Sequence, residues 1–228
     1  MASHSKKIQE TINVAAHDMK NPIATMRMGA EIMSSFSENT FVKRQADTIL
    51  HCTYDLERLI NIYSDYVRLQ AQEPLILVKQ ECDKSFIKAI AKKLQRLELL
   101  SERSVTISHL EKFKYLYVDK NRMITALEIL TATVITYAKP ASNIIINLTE
   151  NKDVLKLEIS FNPAQTLHCA PETLFDFSYI TQRKQERLEA SLELFVASEI
   201  IKAHDGNITY RADDHAVITS TLSRKRVK

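Results

Sequence analysis

Ala16-His17-Asp18-Met19-Lys20-Asn21-Pro22 decides how the rest of this chain is read. It sets a histidine beside an acid, a polar side chain one helical turn later, and then a proline. The stretch lies early in a run, from about Ser5 to Ser35, whose apolar residues recur at helical spacing. Counted at about 100° per residue, Ile8, Ile12, Ala15, Met19, Met26 and Met33 share one face, and His17 points roughly opposite. Asn21 lies beside His17 one turn on, and Ala24 and Met28 continue the outer strip. Pro22 lacks an N–H and its ring crowds the preceding turn, so a kink is expected just after His17.

The next helical run has the strongest period in the chain. Val42, Ala46, Ile49, Thr53, Leu56, Ile60, Tyr63 and Val67 alternate by four and three, an a/d seam. Polar residues from Ser34 to Asn39 separate the two runs, which predicts an antiparallel helical hairpin. A lone hairpin leaves this seam uncovered. Pairing two copies into a four-helix bundle buries it, so a homodimer is expected.

The chain has 228 residues, 45% apolar and 26% charged, enough for two small domains with real cores. A net charge of +3 makes no case for nucleic acid. The basic end Arg224-Lys225-Arg226 reads as a solvated tail. Cys52, Cys82 and Cys169 are far apart and match no metal or redox spacing, which suits reduced thiols in a cytoplasm. No apolar run approaches the roughly 18 residues of a membrane helix, so no membrane contact is expected of this chain. Gly29 and Gly206 are the only glycines, where average usage would give about sixteen. Glycine-rich phosphate loops are therefore impossible here.

Gln70 to Pro74 reads as a linker, dividing a hairpin domain, 1–72, from a second domain, 73–228. In the second, Leu75–Val78 reads as a short strand. Asp83 can cap a helix to about Leu100, with Phe86, Ile87, Ile90, Ala91, Leu94 and Leu97 inward. Ser104–Ser108 and Tyr115–Val118 read as strands, and Asn121–Ala138 as a helix ended by Lys139-Pro140. Asn143–Glu150 and Val154–Phe161 form a hairpin. Glu186–His204 is a helix closed by Gly206, and Asn207–Arg211 with Ala216–Leu222 make a last hairpin. The fold class is α+β: a helical hairpin followed by an α/β sandwich with helices on one face of a sheet.

In this order the parts resemble the catalytic core of sensor histidine kinases. Ala16 to Ile23 resembles the family's phosphoacceptor box, and Val118 to Met123 the start of the helix that normally carries a magnesium-binding asparagine. Leu174-Phe175-Asp176-Phe177 resembles the phenylalanine box before the ATP lid, and Phe195 to Gly206 the helix after the second glycine box. The departures cluster at the nucleotide positions. Aligned on Tyr137, the asparagine position holds Thr133. In Ser160 to Gln165, Phe161 stands at the adenine-reading aspartate, and Pro163 and Gln165 stand at glycines. The second glycine box reads Ser191-Leu192-Glu193. A helix start binds phosphate through free N–H groups and its dipole. A carboxylate there would repel a phosphate about 4 Å away by about 4 kcal/mol at an effective dielectric near 20. The nucleotide site of this domain is expected to be degenerate, with no cofactor and no metal bound by the chain itself.

What the resemblance then implies is phosphate chemistry at His17 without ATP. A neutral imidazole nitrogen can take a phosphoryl group from an aspartyl phosphate and pass it to another aspartate. Asp18 would hold the other ring nitrogen, and Asn21 would orient the phosphoryl group or a water. The expected partners are response regulator receiver domains, which bring their own Mg2+. Lys20 and Arg27 would attract an acidic receiver surface, and Ala24 and Met28 would form an apolar pad for a partner helix. His51, His109, His168, His204 and His215 lack such surroundings and read as surface or packing residues. Two other readings stand beside this one: a pseudokinase that binds a regulator or a partner kinase, and a divergent active kinase.

Overall fold

A computed structural model describes residues 2–90, 104–108, 115–151, 154–164, 174–175, 188–212 and 215–224. The chain divides into two compact units, Met1–Leu75 and Ile76–Lys228. The division falls three residues past the domain boundary at residue 72 read from the sequence.

The first unit is the hairpin, α1 (Ala2–Phe36) and α2 (Thr40–Gln70). Asn39 caps α2 by accepting the amides of Phe41 and Val42 on its side chain. The helices run antiparallel: Arg27 reaches Glu57, and Ser34, further along α1, reaches Asp47, earlier on α2. Pro22 lies inside α1, which continues through it as one helix.

The buried face of α1 differs from the expected one. Ala16, Ile23 and Ala30 are buried, whereas Met19, Met26 and Met33 are 52%, 46% and 41% exposed. The side chains of Ile8 and Ile12 lie outside the described ones. On α2 the seam splits the same way. Ala46 and Thr53 are buried, while Ile49, Leu56 and Tyr63 remain exposed. The physical reason is size. A column of mostly small residues lets two backbones approach closely inside the hairpin, which turns the bulky column outward.

The second unit holds a two-stranded sheet, β1 (Lys79–Cys82) antiparallel to β3 (Leu116–Asp119), and a five-stranded sheet. The larger sheet has the order β2-β4-β5-β7-β6, with β2 (Ser104–Ser108), β4 (Asn143–Glu150), β5 (Val154–Phe161), β6 (Asn207–Ala212) and β7 (Ala216–Ser223). Only β2 and β4 pair in parallel; the other neighbours are antiparallel. Along β5 and β7 buried and half-buried side chains alternate, as the period of two requires. Among the described residues this unit has three helices: α3, described over residues 84–90, α4 (Lys120–Tyr137) and α5 (Leu188–Ala203). The core centres on Met123, Ile129, Leu130, Ile144, Ile146, Ile159, Ile200 and Ile201.

Asp83 does start α3, accepting from the Ser85 amide and hydroxyl, and Phe86, Ile87 and Ile90 are buried. These Ser85 bonds hold its carboxyl below the ordinary value. Ala91, Leu94 and Leu97 lie outside the described residues. Three expectations are corrected. The first strand is Lys79–Cys82 rather than Leu75–Val78, because the Val78 amide donates to the Asp119 carboxylate at 2.8 Å and the Ile76 and Val78 side chains are exposed. The left-handed residue that ends α5 is Asp205 (φ 57), while Gly206 has ordinary φ. Gly206 is required for closeness instead: a Cβ there would sit 2.5 Å from the Thr221 carbonyl oxygen and 2.8 Å from that of Ile201. Arg224 belongs to no solvated tail; it is buried with Glu150. Of the two readings given for His204, surface or packing, the structure shows packing: it is deeply buried.

Candidate functional site

His17 sits in the second half of the stretch of α1 that leads to Pro22. Ala16 is fixed against α2, so the next residue is turned outward. The His17 and Asp18 side chains are 76% and 71% exposed, with Nδ1 of His17 3.5 Å from an Asp18 carboxylate oxygen. That separation is beyond a good hydrogen bond, and exposure on this scale keeps the attraction below about 1 kcal/mol.

The remaining residues of the strip follow from the helix. Asn21, Ala24 and Met28 are all exposed, spaced by three and four residues along the side that carries His17. The Thr25 hydroxyl donates to the Asn21 carbonyl oxygen at 3.1 Å, closing the turn after the proline. Pro22 offers no amide to the Asp18 carbonyl, so one backbone acceptor beside His17 has no helical donor. Lys20 is half-buried beside this strip.

Arg27 is committed more than the sequence indicated. Its guanidinium lies 2.7 Å from a Glu57 carboxylate oxygen and 5.5 Å from the centre of the Tyr54 ring. Its charge is therefore largely answered within the hairpin. Glu57 and Tyr54 were not singled out from the sequence, although both sit on α2 flanking the seam, where a heptad places such partners.

The positions read from the sequence as a degenerate nucleotide site are distributed over α4, β5 and α5. Thr133 lies on α4 and is mostly buried; Phe161 ends β5 and is buried. Past Phe161 the chain folds back on the end of α4. The Lys139 amide donates to the Asn162 carbonyl oxygen at 2.8 Å, and the Ala164 amide to the Tyr137 carbonyl oxygen at 2.8 Å. These bonds bring the ends of α4 and β5 together. Ser191 and Glu193 lie inside α5, which begins at Leu188, and Glu193 is half-buried. Positions 191–193 are thus past the first residues of the helix, not at its free N-terminus. Phe175 is buried; Asp176 and Phe177 lie outside the described residues. Among the described residues, no group of three or more His, Cys, Asp or Glu side chains is arranged to hold a metal ion. Among them, too, no helix is long and apolar enough to cross a membrane.

Residues 7–72 match the His Kinase A (phospho-acceptor) domain. No curated protein matches the sequence. Among solved structures, the chain is similar to full-length ShkA in complex with AMPPNP, at a TM-score of 0.64 and 12% identity, over 96% of this chain and 47% of that one. It thus spans about half the length of ShkA. It is similar to the Acinetobacter baumannii histidine kinase AdeS, at a TM-score of 0.56 and 18% identity, over 92% of this chain and 98% of that one. The catalytic domain of histidine kinase ThkA, in a nucleotide-free form, gives 0.53 and 14% over 64% and 95%. Identities this low speak to fold. With a phospho-acceptor hairpin followed by a catalytic-domain sandwich, the chain has the architecture of a sensor histidine kinase catalytic core.

Proposed function

We propose that this protein is a histidine phosphotransferase of a two-component phosphorelay, passing phosphoryl groups between receiver-domain aspartates through His17 without using ATP. The observation that carries the proposal is a contrast within one chain. His17 is exposed, with a carboxylate 3.5 Å from Nδ1, while Thr133, Phe161, Ser191 and Glu193 occupy the positions that the resemblance read from the sequence aligns with the family's nucleotide-binding side chains and glycines. Phe161 is buried and apolar at the position expected to read adenine.

In the transfer, Nε2 of His17 attacks the phosphorus of an aspartyl phosphate. The N–P bond forms, the acyl O–P bond breaks, and the receiver's aspartate leaves as a carboxylate. The Nδ1 proton stays on the ring beside Asp18, which stabilises the cationic phosphoimidazole. Return to a second receiver is the same step reversed. Positioning and charge neutralisation supply most of the catalysis, with Mg2+ carried by the receiver. Asn21 lies one turn away to orient the phosphoryl group; Lys20, Ala24 and Met28 form the docking strip, with Arg27 at its edge. The functional form is a homodimer, in which a second copy covers Met19, Met26, Met33, Ile49, Leu56 and Tyr63.

Incubation with a phosphorylated receiver tests this. The chain is expected to acquire an acid-labile label that His17→Gln abolishes. Absence of label with every cognate receiver refutes the transfer and leaves the binding-only pseudokinase. Label acquired from γ-phosphate-labelled ATP alone identifies a divergent active kinase.

A further inference from the structure

His204 ends α5 with both ring nitrogens in use. Nδ1 lies 2.7 Å from the Ile200 carbonyl oxygen and donates to it. Nε2 therefore carries the lone pair, and it accepts the Asp119 amide at 2.9 Å. Asp119 in turn is a junction. Its carboxylate accepts the amides of Asn121 and Arg122, capping α4, and the amide of Val78 at 2.8 Å. Arg122 extends the junction by donating from Nε to the Ile76 carbonyl oxygen at 3.0 Å. Residues 76–78 are the first of the sandwich unit, directly after the hairpin. The Ile76 and Val78 side chains are exposed and that of Leu77 is half-buried, so apolar burial alone holds this segment only in part. Polar bonds centred on Asp119 hold it.

We propose that His204 is a proton-sensitive latch on the segment that tethers the hairpin unit to the sandwich. Protonation puts a hydrogen on Nε2, where it meets the Asp119 amide donor to donor. The bond is lost, the Asp119 turn shifts, and the Val78 and Ile76 bonds open with it. Releasing residues 76–79 lengthens the tether by about 13 Å at about 3.3 Å per residue.

Burial pushes the ring below the ordinary imidazole value. The charges of Lys79 on β1 and Arg122 on α4 push the same way, while the Ile200 carbonyl and the Asp119 carboxylate oppose them. Asp205 answers part of the Lys79 charge at 3.3 Å. A depressed folded value means the latch is fully closed above the unfolded imidazole value of about 6.5 and weakens as the pH falls below it. Its opening ratio grows about tenfold per pH unit until the folded value is passed.

The test is amide hydrogen exchange on the full wild-type chain from pH 7.5 to 5, corrected for intrinsic rates, with the His204 ring followed by nitrogen NMR. The expected result is that Val78 and Asp119 lose protection about tenfold per pH unit, together with imidazolium formation at His204, while Ile159 in β5 stays protected. His204→Gln, which carries no titrating group, is expected to remove the pH dependence. Imidazolium forming with Val78 and Asp119 still protected would overturn the proposal. So would protection lost while the ring stays neutral, or no change before global unfolding.

Discussion

Replacing Arg224 with Met tests the packing of the second unit most directly. Arg224 and Glu150 keep 8% and 13% of their side-chain surface, and Nη1 lies 3.6 Å from a Glu150 oxygen. The same nitrogen donates to the Asn151 carbonyl oxygen at 2.7 Å, Nε donates to that of Tyr115 at 3.4 Å, and the guanidinium stacks 4.9 Å from the Tyr115 ring. At an effective dielectric near 20, the ion pair is worth about 4 to 5 kcal/mol before desolvation is counted. Methionine preserves most of the stem's volume and removes the charge. Glu150 then loses the Arg224 charge in a largely buried place, which costs about 3 kcal/mol. For a unit of this size that lowers Tm by about 6 to 12 °C. The measurement is a urea titration read from the amide signals of Ile159 and Ile218, which report the sandwich apart from the helical hairpin. Glu150→Gln in the Arg224→Met background should recover part of the loss. A change below about 0.5 kcal/mol, the usual size for a solvated surface residue, would refute the reasoning.

Three further outcomes are expected. Ala141 takes a left-handed backbone (φ 56) at the third position of the Lys139–Ser142 turn, where glycine is normal. Ala141→Gly should therefore raise the sandwich's stability by about 1 kcal/mol in the same titration. Gly206→Ala should lower it by about 2 kcal/mol, because the added methyl meets two backbone carbonyl oxygens that cannot swing away. Leu56→Glu, on the exposed column of α2, should give a monomer by sedimentation velocity with the helical content retained; an unchanged dimer would exclude that column as the interface.

The two-part architecture was legible because its signals are local and repeated. Eight seam positions on α2 and the alternation in β4, β5 and β7 each restate the same period. What escaped the sequence depends on distance in space. The helical period of α1 shows one apolar face, but only the packed hairpin shows that Ala16 and Ala30 are buried while the methionines are not; counting hydrophobicity favoured the larger residues. Asp205, rather than the adjacent glycine, adopts the left-handed turn, and Gly206 is needed to clear Thr221. Arg224 sits among basic residues at the end of the chain, and its acid lies on another strand. Arg27 likewise resembled a free cation until α2 brought Glu57 to it. His17 itself was legible as an exposed helical histidine, and Asp18 as its neighbour, since adjacency along a helix needs no tertiary information.

The division of the hairpin seam into a small inner column and a bulky outer one also sets an order of assembly. The inner contacts join residues close in sequence across a short turn, so each hairpin can close on its own at a rate independent of concentration. The outer column carries three methionines, whose unbranched side chains adopt many shapes at little cost. In the proposed dimer, association is a second, bimolecular event onto a surface that can accept more than one interlock. Two hairpins that have already closed can then exchange partners without unfolding.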